Sequence, residues 1–237
     1  MNAPHSKESA EFDAFAGNYN SLLEKGLSIT GETSAYFLHR RIDYLVRSMR
    51  CLKKSTETIM DYGCGVGTTA PVLLRQLSAK SVLGVDISED EIAVARSSCS
   101  SPDTRFLAIN TYHPCGTFDL AYCNGVFHHI PPPQRLATVR YVYNSLKPGG
   151  VFAFFENNPW SPAARYVMRR IPFDKNAIMI SAAKASQLLT HGGFEVFTIS
   201  YLFIFPRCMN FLRFMETAIQ RVPIGAQYLV LCIKPVS

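Results

Sequence analysis

The chain has 237 residues, 48% apolar and 18% charged, with 14 Gly and 14 Pro and a mean hydropathy of +0.06; these values exclude disordered and fibrous proteins. The net charge of +6 is uneven, because residues 1–120 carry 12 basic and 14 acidic groups whereas residues 121–237 carry 12 and 4. The basic second half would suit an anionic ligand or form a solvated face, and no apolar run reaches the roughly 18 residues that cross a bilayer.

The amino-terminal segment MNAPHSKESAEF lacks the apolar stretch of a signal peptide, so a cytoplasmic location is expected. The 7 cysteines include no CxxC pair and no Cys/His cluster, so they read as free thiols and no metal is expected. From Phe12 to about Arg50, apolar residues recur at helical spacing (Phe37, Ile42, Leu45, Val46, Met49), with Gly26 and Gly31 as breaks. Residues 1–55 are therefore expected to form a helical cap on a main domain at 56–237.

From Thr58 the texture changes to short apolar runs alternating with helical stretches. Strands are expected at 58–62, 81–86, 105–109, 118–123 and 151–155, with helices at 69–77, 89–98 and 134–146 between them. Strands that are apolar throughout belong to a parallel sheet covered on both faces, so the fold class is doubly wound α/β. The alternation pauses at about 157–182, the expected lid, since segments inserted after strand ends lie over the ligand crevice. A helix at 183–190, a strand at 195–205, a helix at about 210–221 and a strand at 227–233 complete the chain.

The segment Asp61-Tyr62-Gly63-Cys64-Gly65-Val66-Gly67 follows a strand and opens a helix. Glycines at alternate positions permit turns with positive φ and let a ligand touch the backbone. At the end of the next strand, Asp86 is placed to accept hydrogen bonds from both hydroxyls of a ribose. A dinucleotide oxidoreductase would need GxGxxG, but the sixth position here is Thr68. Asp61 would also repel a pyrophosphate while suiting an ammonium group.

Asp61-x-Gly63-x-Gly65-x-Gly67 followed by Asp86 resembles the first two motifs of class I S-adenosylmethionine-dependent methyltransferases. Phe118 to Asn124 with Val126-Phe127-His128-His129-Ile130 resembles their fourth strand and its loop, and Leu146-Lys147-Pro148-Gly149-Gly150 the turn into the fifth. The resemblance implies a seven-stranded sheet whose last strand, at 227–233, is antiparallel and lies between the fifth and sixth. It implies S-adenosyl-L-methionine as cofactor and S-adenosyl-L-homocysteine as product. Asp61 with the backbone of Gly63 and Gly65 would hold the methionine part, Asp86 the ribose, and Ile87 would pack on adenine. Asn110 or Thr111 would face the adenine edge, although an acidic residue is common there in the family. Asn124 and Gly125 would lie beside the transferred methyl. Tyr19 resembles a cap tyrosine that helps close the site in the ubiquinone-biosynthesis type. Arg41 would either pair with the cofactor carboxylate or lie on the surface.

The expected reaction is methyl transfer to a nitrogen or oxygen of a small-molecule acceptor, anionic or apolar, by in-line displacement in a dry site. A base is needed only where the acceptor must lose a proton. His128, His129 and Glu156 are the candidates, each with a structural alternative, and His128 is expected to be the more exposed histidine. In the lid, Trp160, Arg165 and Arg169 are candidate acceptor contacts; the two arginines are four apart on a helix and would clamp an anion or form a solvated face. Nucleic acid is not expected as a partner, because Asn124-Gly125-Val126-Phe127 lacks the prolines of base-methylating enzymes. A cofactor-binding protein without catalysis is the alternative from another class.

Overall fold

A computed structural model describes residues 19–99 and 101–236; Phe12, Phe15 and the side chain of Tyr19 lie outside what is described. The strands β1 (Thr58–Tyr62), β2 (Ser81–Asp86), β3 (Thr104–Ala108), β4 (Phe118–Asn124), β5 (Leu146–Asn157), β6 (Glu195–Leu202) and β7 (Gln227–Ile233) form one sheet. Their order is β3-β2-β1-β4-β5-β7-β6, and β7 is antiparallel to both neighbours, as the resemblance implied. Around the sheet stand α1 (Tyr19–Leu27), α2 (Ser34–Leu52), α3 (Ala70–Gln76), α4 (Glu89–Ser98), α5 (Arg135–Ser145), α6 (Pro162–Met168), α7 (Ala182–His191) and the short α8 (Glu216–Ile219).

Successive strand residues face opposite sides of a sheet, and β1 shows the consequence. Ile59 packs in one core with Leu45 of α2, Leu73 of α3 and Ile92 of α4. Met60 and Tyr62 pack in the other with Val139 and Val142 of α5 and Leu189 of α7. After Thr58 at its start, every residue of β1 is buried, and Asp61 is the charged one among them that marks the site. Helix starts follow capping chemistry: Ser88 accepts a hydrogen bond from Glu91 N at 3.1 Å, and Ser161 from Ala164 N at 3.3 Å, each occupying a donor that the first turn leaves open.

Several expected boundaries move. Gly26 does not break a helix; it lies inside α1, where an added Cβ would come within 2.4 Å of Ile171 Cγ1, so it is a close-packing position. Gly31, at φ 73°, is the break. The strand expected to reach 205 stops at Leu202 because Phe203 turns left-handed at φ 59°. In place of a regular helix at 210–221 there is a 3-10 segment, Arg207–Met215, followed by α8. None of its residues is buried, so no apolar face packs on a core to hold a longer α-helix.

Candidate active site

The sheet order reverses between β1 and β4, and the crevice beyond their carboxyl ends is the ligand position of open α/β sheets. A cavity of about 290 Å³ opens there, between the glycine loop and β4 loop on one side and α1, α2 and α6 on the other. Gly63, Gly65 and Gly67 have φ of 71°, 52° and 80°. Their roles differ. A Cβ on Gly63 would lie 2.3 Å from Val126 Cγ2, and one on Gly67 2.8 Å from Ala95 Cβ, so both are required by internal packing. A Cβ on Gly65 would meet nothing nearer than Glu91 Oε2 at 3.6 Å. Gly65 therefore presents bare backbone to the cavity.

Asp86 Oδ2 accepts from Gly65 N at 2.9 Å, and Oδ1 from Ser88 N at 3.1 Å. The carboxylate thus pins the loop while lining the cavity beside Ile87; burial raises its pKa, against the lowering effect of these backbone donors. Asp61 is 2% exposed, and burial, with the charge of Asp86, pushes its carboxyl up to about 8. Its Oδ2 and Asn124 Oδ1 are both buried without a hydrogen-bond partner. Two orphaned acceptors at the ends of adjacent strands, next to an uncovered glycine, suit a ligand that brings an ammonium and a second positive centre, and an amino acid nucleoside with a sulfonium fits that donor set.

Arg41 is buried, which removes the surface alternative. Its Nε donates to Tyr122 Oη at 3.3 Å and Nη1 to Gln227 Oε1 at 3.1 Å, and it lines the cavity. Gly125 and Asn124 line it as well. Asn110 and Thr111 are exposed and stand off its wall, where Ile109 is found instead; Thr111 Oγ1 caps the turn by donating to Ala108 O at 2.7 Å.

The histidine pair reverses the expected exposure: the His128 side chain is 3% exposed and that of His129 17%. His128 Nδ1 lies 2.7 Å from Glu156 Oε2. Glu156 Oε1 accepts from Phe127 N at 2.7 Å, and Oε2 also from Asn157 N at 3.2 Å, so this carboxylate is fully occupied in holding the loop after β4. Asp174, on the 3-10 turn Pro172–Asp174, places Oδ1 3.4 Å from His128 Nε2 and 3.3 Å from His129 Nε2. Burial alone would push His128 down, but Glu156 and Asp174 outweigh it and hold it up at about 10. Burial and the neighbouring His128 charge push His129 down despite Asp174. Glu156 and Asp174 are both held below the usual carboxylate range against burial, Glu156 chiefly by His128 and Asp174 by the two histidines.

The segment after β5 meets the cavity with an apolar face, Ala164, Val167, Met168 and Ile171. Arg165, on α6, and Arg169, just after its end, are exposed, and Trp160 is 73% exposed; none of the three lines the cavity, and the solvated-face alternative describes the arginines. Asp174, Tyr62, Glu91 and Gln227 line it without having been singled out by sequence. Asp174 belongs to no periodic pattern, so nothing local marks it.

Residues 59–150 match the family model described as a methyltransferase domain. Trans-aconitate 2-methyltransferase of Rhodopseudomonas palustris is 31% identical over 120 residues, covering 49% of this chain and 45% of that protein. Malonyl-[acyl-carrier protein] O-methyltransferase of Halalkalibacterium halodurans is 27% identical over 128 residues, 51% of this chain and 46% of that one. Both matches span less than half the length of the relative. A crystal structure of an S-adenosylmethionine-dependent methyltransferase from Mesorhizobium loti superposes with a TM-score of 0.58 at 21% identity, over 79% of this chain and 96% of that one, a likeness of fold.

Proposed function

We propose that this chain, whose residues 59–150 match the family model of a methyltransferase domain, transfers a methyl group from S-adenosylmethionine to a carboxylate oxygen of a small acceptor. The observation that carries this reading is one cavity that joins the Gly65, Asp86 and Asn124 pocket, with Asp61 buried behind it, to a chamber walled by Leu23, Phe37, Val167 and Phe203. One end is polar and orphaned, the other apolar and roofed. The relatives named for trans-aconitate and for malonyl groups, both carboxylic acids, point the same way.

Bound S-adenosylmethionine supplies a methyl group on positively charged sulfur. Asp61 and Asn124 would accept hydrogen bonds from its amino acid end, Arg41 would face its carboxylate, Asp86 would take the ribose and Ile87 would pack on the base. Transfer would break the carbon–sulfur bond as the bond from carbon to acceptor oxygen formed, leaving the electron pair on sulfur. Opposite charges disappear together, so an apolar, water-poor chamber favours the transition state over the separated ions. A carboxylate is already ionised at neutral pH and needs no base. Glu156, fully hydrogen-bonded, is then a positioning residue for the loop after β4.

The test is transfer of isotopically labelled methyl from S-adenosylmethionine to a panel of di- and tricarboxylates and of matched amines. Label in a product that mild alkali releases as methanol supports the ester reading. Label that survives alkali on an amine, or no transfer to any carboxylate, overturns it.

A further inference from the structure

The donors of His128, His129 and Asp174 all lie within 4.8 Å of one another, with Asp174 Oδ1 3.4 Å and 3.3 Å from the two Nε2 atoms. A tetrahedral site with bonds of about 2.0–2.1 Å to nitrogen and oxygen sets its donors roughly 3.4 Å apart. His128 Nε2 is buried without a hydrogen-bond partner, while its Nδ1 is held at 2.7 Å by Glu156. That is how a carboxylate fixes a histidine with its second nitrogen toward a metal. All three residues line the cavity, which supplies both a way in and a side from which a further ligand can approach.

We propose that His128, His129 and Asp174 bind one divalent transition-metal ion, with Glu156 as the carboxylate behind His128. Two imidazoles and one carboxylate suit zinc, cobalt or ferrous ion better than magnesium or calcium. The ion takes the place of a proton on the histidine nitrogen. Resting on the carboxylate reading above, its role is to hold an acceptor oxygen at the open coordination position, inside a chamber that otherwise gives an anion little to bind.

The full chain, stripped with a chelator and dialysed, is titrated with Co²⁺ and then Zn²⁺ by calorimetry and visible absorption. One saturable equivalent is expected, with the visible bands of low-coordinate cobalt and no thiolate charge-transfer band. The hydrogen-bonded Nδ1 proton of His128 is expected to show a paramagnetic shift in the Co²⁺ form, a readout that needs no variant. Asp174→Asn and His129→Gln should each weaken binding at least tenfold while melting cooperatively; if Asp174→Asn fails to fold, His129→Gln, at the less buried position, and the proton shift decide. No saturable binding, equal affinity in the folded variants, or a thiolate band pointing to exposed Cys51, Cys115 or Cys208 overturns the site. Metal binding is read without acceptor or cofactor, so its failure is distinct from failure of the carboxylate reading.

Discussion

Glu156, at the end of β5, and His128, in the loop after β4, form a buried pair 2.7 Å apart, with side-chain exposures of 1% and 3%. The pair ties the strand that leads into the 158–181 segment to the strand that leads into the cavity, and it also uses Phe127 N.

Removing one partner of such a pair leaves the other charged and dry, which typically costs 3–5 kcal/mol. Glu156→Ala is therefore expected to lower unfolding stability by about 3 kcal/mol or more, measured by urea denaturation. A loss below about 1 kcal/mol would show that the loop does not depend on this carboxylate.

Asp61 should make the cofactor-free protein sensitive to pH. Its ordinary value of 3.8 is raised to about 8 in the folded chain, so between those values the folded protein holds a proton that the unfolded chain has released. The associated stability is complete below pH 4 and is lost as pH rises toward 8, with a magnitude on the order of a few kcal/mol. Asp61→Asn should flatten this part of the melting-temperature profile. Binding of a ligand ammonium should expel the same proton, visible at pH 6–7 as a heat that changes with buffer ionisation enthalpy and disappears in the variant.

The glycines separate packing from ligand contact. Gly63→Ala drives a Cβ to 2.3 Å from Val126 and is expected to lower the melting temperature markedly. Gly65→Ala strains a φ of 52°, at about 1–2 kcal/mol, but meets no close atom. Its main effect should be at least a tenfold loss of S-adenosylhomocysteine affinity by calorimetry, and unchanged affinity would remove Gly65 from the cradle.

Arginines divide by burial. Arg41→Met should raise the cofactor dissociation constant tenfold or more, because Arg41 is the one lysine or arginine among the cavity-lining residues described. Arg165→Ala with Arg169→Ala should leave both cofactor affinity and the Michaelis constant for any acceptor within about twofold, as expected of solvated side chains. A large rise in the latter would return those residues to the site.

Much of the fold was legible because its signals are local. The runs at 58–62, 81–86 and 227–233 coincide with β1, β2 and β7, since burial on both faces calls for apolar residues through most of each strand, after a polar first residue at Thr58, Ser81 and Gln227. Asp61 stood out as a carboxylate in such a run. The segment at Arg207–Met215 is 3-10 instead of the expected α-helix, because composition cannot report that none of its residues is buried.

By itself the sequence determined the layered sheet, the glycine loop and the two carboxylates Asp61 and Asp86, because strand period and the φ freedom of glycine act between chain neighbours. Only the tertiary structure decided that Arg41 faces inward, that Arg165 and Arg169 face outward, and that Asp174 meets His128 and His129. Those outcomes depend on how α2, α6 and the 3-10 turn are rotated and closed against the sheet, and such packing is set by contacts far apart in the chain.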